Sequence, residues 1–352
     1  MRILHTYCLN YNIGDYALGM GVKNLLRQEF DVDLIGETNI QGREFTEYYI
    51  NEVVNKKYDL LVIGGGGIIH GSHWPNGWFW LINKNLIKSI KVPFVVYGVG
   101  NNYFDCETIP QKAIEHLEET NKYSSYFSVR NDESYERLTK QLAFLPYEIP
   151  DPGFHVGLNT KFERPIEGPY VVIQLANDKP KQRFNDSSKQ KFINGLREVI
   201  KNITKTRKVI FLPHVLEDVL ISELVAEGID NAEVLSFGNF AFDHSDKMIA
   251  YYKYADFVLA MRGHGQIIPI SFNVPVIALQ NHPKHVGLMR KLQIEKYNVD
   301  VNAERFQVEL KAAVDALLQD RVKIINHYKQ LNEKFAEQSA QAMKDIRRRV
   351  YE

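Results

Sequence analysis

Cysteine is scarce in this chain: Cys8 and Cys106 stand alone among 352 residues, with no metal-type spacing. Two isolated thiols cannot build a disulfide framework, and they suit a reducing compartment. No apolar run reaches the ~18 residues needed to span a bilayer. The N-terminal M-R-I-L-H-T-Y-C-L-N also turns polar too soon for a secretory signal, so the chain reads as cytoplasmic. Net charge is missing too. The 43 basic and 43 acidic side chains cancel, so no global field draws the protein to nucleic acid or anionic lipid. There is no H-E-x-x-H, no D-x-D-x-D-G and no paired C-x-x-C, so no metal is expected. The glycine run after Leu60-Leu61-Val62-Ile63 looks like a dinucleotide loop, but Ile69 stands where its third glycine belongs, and no Walker lysine follows. Nicotinamide and nucleoside-triphosphate chemistry are therefore set aside.

What is present is an ordinary globular composition, 45% hydrophobic and 24% charged, in a chain long enough for two domains. Short apolar runs alternate with helical periods. Strands are predicted at Ile3–Thr6, Val32–Ile35, Asp59–Ile63, Phe94–Tyr97 and Tyr126–Val129, and most of them finish in Gly, Asn, Asp or Arg. Phe45–Val54 reads as a helix between the second and third. A polar, proline-bearing stretch, Asn159–Pro169, then interrupts the pattern. Beyond it the alternation restarts with strands at Tyr170–Leu175, Val209–Leu212, Glu233–Phe237, Phe257–Met261 and Val276–Leu279, and helices at Ser187–Thr204, Glu217–Ala226 and Asp246–Tyr254. The expected organisation is residues 1–160 as one Rossmann-like α/β domain, 168–330 as a second facing it across a cleft, and 331–352 as a C-terminal helix.

In open α/β sheets ligands sit beyond the carboxyl ends of the strands. Ala255–Met289 delivers Arg262, His264, Lys284 and one of His282 or His285 to two such ends, groups able to hold an anion and move a proton. In the first half, Gly65 and Gly66 offer a backbone that a ligand can approach closely, or else tight packing between strand and helix. Asn12 and Asp15 can take sugar hydroxyls or cap a helix, and Asn10, Asn101 and Asn102 are weaker candidates of the same kind. Ser72–Leu81 holds all three tryptophans, suited to core packing, to stacking on a pyranose or to peripheral membrane contact. Arg262 has an interdomain salt bridge as its structural alternative, and Arg130 has an ion pair with Asp132 or Glu133.

In order, Asn12-Ile13-Gly14-Asp15, V-I-G-G-G-G-I-I, V-Y-G-V-G, F-S-V-R-N-D-E-S, D-P-G-F at Asp151 to Phe154, M-R-G-H-G-Q-I-I-P-I, and N-V-P-V-I-A-L with Pro283-Lys284 form a series. Over about Met1 to Met289 that series resembles the polysaccharide pyruvyltransferase family. The resemblance implies a glycosyltransferase-B-like fold. It also implies transfer of the pyruvyl group of phosphoenolpyruvate onto two hydroxyls of a sugar, closing a cyclic ketal during capsular or surface polysaccharide synthesis. Phosphoenolpyruvate is then a co-substrate and no cofactor is needed. The family's important arginine falls on Arg130, its R-x-H pair on Arg262 and His264, and its P-K lysine on Lys284. Gly263 and Gly265 replace the usual leucine and alanine and leave the pair intact. His264 is the expected general acid, with Arg130, Arg262 and Lys284 holding the anion. Asn12, Gly14, Asp15, Gly65, Gly66, Asn101, His214, Gly265 and His285 are the expected substrate contacts. The acceptor is expected to be a galactose-type unit, lipid-linked or nucleotide-linked, which would bring the enzyme to the inner face of the membrane. The alternative is a nucleotide-sugar-dependent glycosyltransferase or epimerase of the same architecture.

Overall fold

A computed structural model describes residues 1–9, 12–71, 73–102, 108–185, 188–235, 245–281 and 283–352, the side chains of 283–285 excepted. Contacts divide the chain into two compact units. One comprises Met1–Asn10, Leu18–Leu158 and Lys334–Glu352, the other Tyr11–Ala17 and Asn159–Glu333.

The first unit is built on β1 (Arg2–Tyr7), β2 (Leu34–Asn39), β3 (Leu60–Ile69), β4 (Phe94–Asn101), β5 (Tyr126–Arg130) and β6 (Tyr147–Ile149). They lie in the order β2-β1-β3-β4-β5-β6, every neighbouring pair parallel. β1, β4 and β5 are buried almost throughout, as expected of parallel strands covered on both faces. One face carries Ile50, Val54, Trp78, Trp80 and Leu117, and the other carries Val22, Leu26, Ala342, Met343 and Ile346. Val22 and Leu26 come from α1 (Ile13–Glu29), and Leu117 from α2 (Gln111–Tyr123).

Several elements differ from the sequence expectation: β2 lies later than Val32–Ile35, β6 and α2 were not expected, and two more differ in extent. β3 does not stop at Gly64 but runs through the glycines to Ile69, with φ of 116°, 69° and 118° at Gly64, Gly65 and Gly66. Only glycine fits there, because a Cβ on Gly64 would stand 2.6 Å from Val99 and 2.7 Å from the Tyr97 carbonyl. The helix expected over Phe45–Val54 begins at Glu47 and widens into a π turn at Ile50–Val54.

The second unit holds β7 (Tyr170–Gln174), β8 (Lys208–Phe211), β9 (Ala232–Val234), β10 (Val258–Ala260), β11 (Val276–Gln280) and β12 (Asn298–Asp300). They form a parallel sheet ordered β12-β11-β10-β7-β8-β9, the doubly wound Rossmann order. Its helices are α3 (Ser188–Ile203), α4 (Glu217–Ala226), α5 (Ser245–Tyr254), α6 (Gly263–Ser271), α7 (Pro283–Lys291) and α8 (Phe306–Gln319). The strand order reverses between the parallel neighbours β7 and β10, whose ends are level because Gln174 pairs with Ala260. A last helix, α9 (Arg321–Tyr351), carries Ala342, Met343 and Ile346 of the first unit's core.

Candidate active site

The reversal point of the second sheet gathers polar groups from three strand ends. β7 supplies Gln174 and, just beyond it, Asp178; β8 leads to His214; β10 leads to Arg262, the residue before α6. Gln174 is fully buried, and its Oε1 accepts the Arg262 backbone N–H at 2.8 Å. The Arg262 side chain is gripped by carboxylates. Its Nε donates to Asp218 Oδ2 at 2.7 Å, and its Nη2 to Asp218 Oδ1 at 2.7 Å and to Asp178. Asp178 also takes two 2.9 Å bonds from Arg183. Burial alone would lower the pKa of Arg262, but the two carboxylates outweigh it and raise it above the usual arginine value. Burial pushes Asp178 up, and Arg262 and Arg183 more than reverse that. The two arginines and two aspartates cancel in charge. Nη1 of Arg262 makes no hydrogen bond among the described residues, so one fork of the guanidinium stays open to a ligand.

His264 follows on the first turn of α6, whose N-terminus has no side-chain cap. Uncapped first-turn amides and the helix dipole favour an anion there. Gly265 is buried against Gln174 and Ala260, with room for no more than a Cβ at 3.0 Å from each, so α6 starts close to β7. His214 is fully buried with Nε2 at 2.6 Å from the Tyr252 hydroxyl. Burial, reinforced by Arg262 and His264, lowers its pKa well below the usual histidine value, so it stays neutral.

The start of α1 belongs to this same unit. Asn12 accepts the Gly14 N–H at 2.8 Å, the capping role weighed for it from sequence, and Asp15 lies half-buried in the first turn. Gly14 has a steric duty of its own. A Cβ there would stand 2.7 Å from Nδ1, 2.8 Å from Cβ and 2.9 Å from Cγ of His264. Two of those atoms are the root of the side chain, so the imidazole would have to swing away. Gly14→Ala should therefore lower turnover by about 10²-fold through misplacement of His264. Rotation cannot move the His264 Cβ, so the backbone must give as well and the melting temperature should fall, which is why turnover is read well below the variant's own melting temperature. Unchanged kcat in a phosphate-release assay would remove Gly14 from this role.

In the first unit, Arg130 is 4% exposed and engaged by carboxylates. Its Nε donates to Asp132 at 2.6 Å and its Nη1 to Asp151 at 3.1 Å. Asp132 bonds Ser134, whose Oγ accepts the Asn101 backbone N–H at 2.7 Å, and Asp151 Oδ1 accepts the Gly153 N–H at 2.8 Å. The pairing foreseen with Asp132 or Glu133 is thus made with Asp132 and Asp151, and the F-S-V-R-N-D-E-S and D-P-G-F motifs form one buried network. Gly65 and Gly66 are buried inside β3, Gly65 against Leu18 and Val22 of α1. Trp78 and Trp80 are fully buried and only Trp74 is partly exposed, so core packing accounts for two of the three indoles. The side chains of Lys284 and His285, and the whole of Asn10, Ser72, Cys106 and His282, lie outside the described residues.

Sequence reasoning did not single out Gln174, Asp178, Arg183 or Asp218. Asp218 is 0% exposed and also accepts the Asn177 and His214 backbone N–H groups at 3.1 and 3.2 Å. The available signal was an acidic residue in the first turn of an apolar helix, which reads equally well as a dipole partner. Among the described residues no group of three or more His, Cys, Asp or Glu could hold a metal ion, and no helix is long and apolar enough to cross a membrane.

The family profile described as polysaccharide pyruvyl transferase matches residues 12–283. A search of curated proteins finds no match. Among solved structures, the chain is similar to a protein from Listeria monocytogenes described as a putative UDP-N-acetylglucosamine 2-epimerase, with TM-score 0.60 and 12% identity over 93% of this chain and 90% of that one. It is also similar to the UDP-GlcNAc 2-epimerase of Methanocaldococcus jannaschii, with TM-score 0.56 and 14% identity over 90% and 92%. A third is a ugt transferase from Siraitia grosvenorii in complex with UDP, with TM-score 0.52 and 7% identity over both chains in full. These likenesses establish the glycosyltransferase-B type of fold.

Proposed function

The chain belongs to the polysaccharide pyruvyl transferase family and is an enzyme of that kind, and from this we propose that it moves the pyruvyl group of phosphoenolpyruvate onto two hydroxyls of one sugar. The observation that carries this reading is the place of His264 on the first turn of the uncapped α6, two residues after Arg262, whose Nη1 makes no hydrogen bond among the described residues. Phosphoenolpyruvate presents a phosphate and a carboxylate, and a guanidinium fork with helix amides beside it suits either.

In the chemistry we propose, His264 protonates the methylene carbon of the enol, leaving an electron-poor centre at C2. A sugar hydroxyl attacks C2 and loses its proton. The second hydroxyl attacks the same carbon, the C2–O bond to phosphate breaks, and inorganic phosphate leaves. One hydroxyl proton is thereby balanced by the new methyl group and the other by the phosphate. Arg262 and Lys284 neutralise the departing anion. Arg130 serves by fixing the carboxyl edge of the first sheet through Asp132 and Asp151. Asp15 stands at the helix start as a base for a sugar hydroxyl. The product is a cyclic pyruvate ketal on a galactose-type unit of a capsular or surface glycan, made in the cytoplasm where a phosphorylated donor is retained. No metal enters any of these steps.

The rival is nucleotide-sugar chemistry, favoured by solved relatives whose descriptions name UDP-sugar epimerases and a UDP complex. Mass spectrometry of lipid-linked and nucleotide sugars incubated with phosphoenolpyruvate separates the two. The expected product is heavier than its acceptor by one pyruvate ketal. No gain across a broad panel, with turnover of a UDP-sugar instead, overturns the pyruvyl reading.

A further inference from the structure

The clamp around Arg262 has no charge to spare. Arg183 and Arg262 are balanced by Asp178 and Asp218, and His214 beside them is held neutral by burial. The open Nη1 of Arg262 therefore supplies donors without surplus charge. Phosphoenolpyruvate brings about −1.5 to −2 on its phosphate and about one more on its carboxylate, so the single ammonium of Lys284 leaves it under-neutralised.

Lys189 lies within the same unit and at the same edge of the sheet. It stands in the first turn of α3, the helix after β7, and its Nζ donates to Asn177 Oδ1 at 3.0 Å. The Asn177 backbone N–H is accepted at 3.1 Å by Asp218 Oδ1, the oxygen that also takes Nη2 of Arg262. The next residue, Asp178, bonds that same Nη2. Lys189 and Arg262 thus grip adjacent residues of one loop, whose Cα atoms are about 3.8 Å apart. Arg183 fastens the loop from the other side. Its Nε donates to the Asp178 carbonyl at 2.7 Å, and its Nη1 to Asn281, whose amide donates to the Met261 and Leu279 carbonyls at 2.9 Å each. The loop is therefore anchored to the ends of β10 and β11.

The placing of Lys189 has no evident structural purpose. Its one bond is to a neutral amide, it has no carboxylate partner among the described residues, and no acidic side chain stands in the first turn of α3. A cation there opposes the helix dipole, so it weakens α3 rather than supporting it. Of the three N–H donors on its ammonium, Asn177 takes one and two remain. A compact ammonium meets a tetrahedral phosphate as a point charge, which is the part missing from the neutral clamp.

We propose that Lys189 is a phosphate ligand, completing with Nη1 of Arg262 a phosphoryl-group site at the carboxyl edge of the second sheet. That the phosphoryl group belongs to phosphoenolpyruvate rests on the function proposed above. A nucleoside diphosphate offers the same chemistry, and the test separates the two.

Isothermal titration calorimetry of the full chain, at constant ionic strength and without acceptor, is run with phosphoenolpyruvate and with UDP. The parent should bind phosphoenolpyruvate. Lys189→Gln can still donate to Asn177 but carries no charge, and it should bind that ligand at least about tenfold more weakly, as loss of one charge-assisted contact requires. Its melting temperature should match or exceed the parent's, because a cation leaves the start of α3. Lys189→Arg restores the charge and should stay within about threefold of the parent. A glutamine variant that binds as the parent does would leave Lys189 as a mere tether of Asn177 and overturn the proposal. Equal weakening in both variants, or a parent that binds neither ligand, overturns it too. Binding of UDP but not of phosphoenolpyruvate, with the same loss in Lys189→Gln, would keep the phosphoryl site and sink the pyruvyl reading instead.

Discussion

His264→Ala is expected to lower phosphate release from phosphoenolpyruvate plus acceptor by about 10²- to 10⁴-fold, the range that removal of a general acid produces. The loss should fall on kcat, because the proton goes to the methylene carbon only as the transition state forms. Nothing in the local packing makes this a folding defect. The imidazole is only partly buried, and the register of α6 is kept by the buried Gly265 against Gln174 and Ala260 and by the Ile267, Ile268 and Ile270 side chains beneath. Circular dichroism of the variant should therefore match the parent. Turnover close to the parent's would exclude His264 as the acid. His214 is a poor substitute for it, because its buried ring is held neutral and already bonded to Tyr252.

Arg262 shows how far the sequence could carry this site. Its place after an apolar strand marked it as an anion ligand or as a salt-bridge partner, and the geometry makes it both: Nε and Nη2 are spent on Asp218 and Asp178 while Nη1 is not. Spacing alone could not reveal this, since Asp178 and Asp218 are 84 and 44 residues away. The strands were legible because parallel strands buried on both faces read as short apolar runs, as in V-V-I-Q and V-L-A. α6 was not legible as a helix, because it begins on two glycines, contains Pro269 and buries neighbouring isoleucines, which erases any amphipathic stripe. α2 was missed for another reason. Ala113, Ile114 and Leu117 give it a helical period, but they stand among polar residues and the stretch was left unassigned. Gly14 was expected as a substrate contact, and spacing alone could not show that its missing Cβ also makes room for His264.

Acid should unfold the first unit before its carboxylates alone would account for it. His5, His116 and His155 are each buried, and desolvation lowers each pKa from 6.5 to about 4. Their polar partners are groups that the neutral ring satisfies: the Gly64 carbonyl at 2.6 Å for His5, the Trp78 indole and Ile82 carbonyl for His116, and the Ser339 hydroxyl at 2.8 Å for His155. Between pH 6.5 and 4 the unfolded chain therefore binds more protons than the folded one, so stability falls as pH falls through that window. It levels off, as far as these groups are concerned, only below pH 4. Each histidine removes on the order of 3 kcal/mol by pH 4, and together they approach the ~5–15 kcal/mol that ordinarily separates folded from unfolded states. Urea titrations at half-unit pH steps should give a slope near three protons in mid-window. His155→Gln, which can still bond Ser339, should reduce that slope by about one proton. A slope below one proton in the parent, or one unchanged in the variant, would mean that these rings titrate in the folded protein as they do in water.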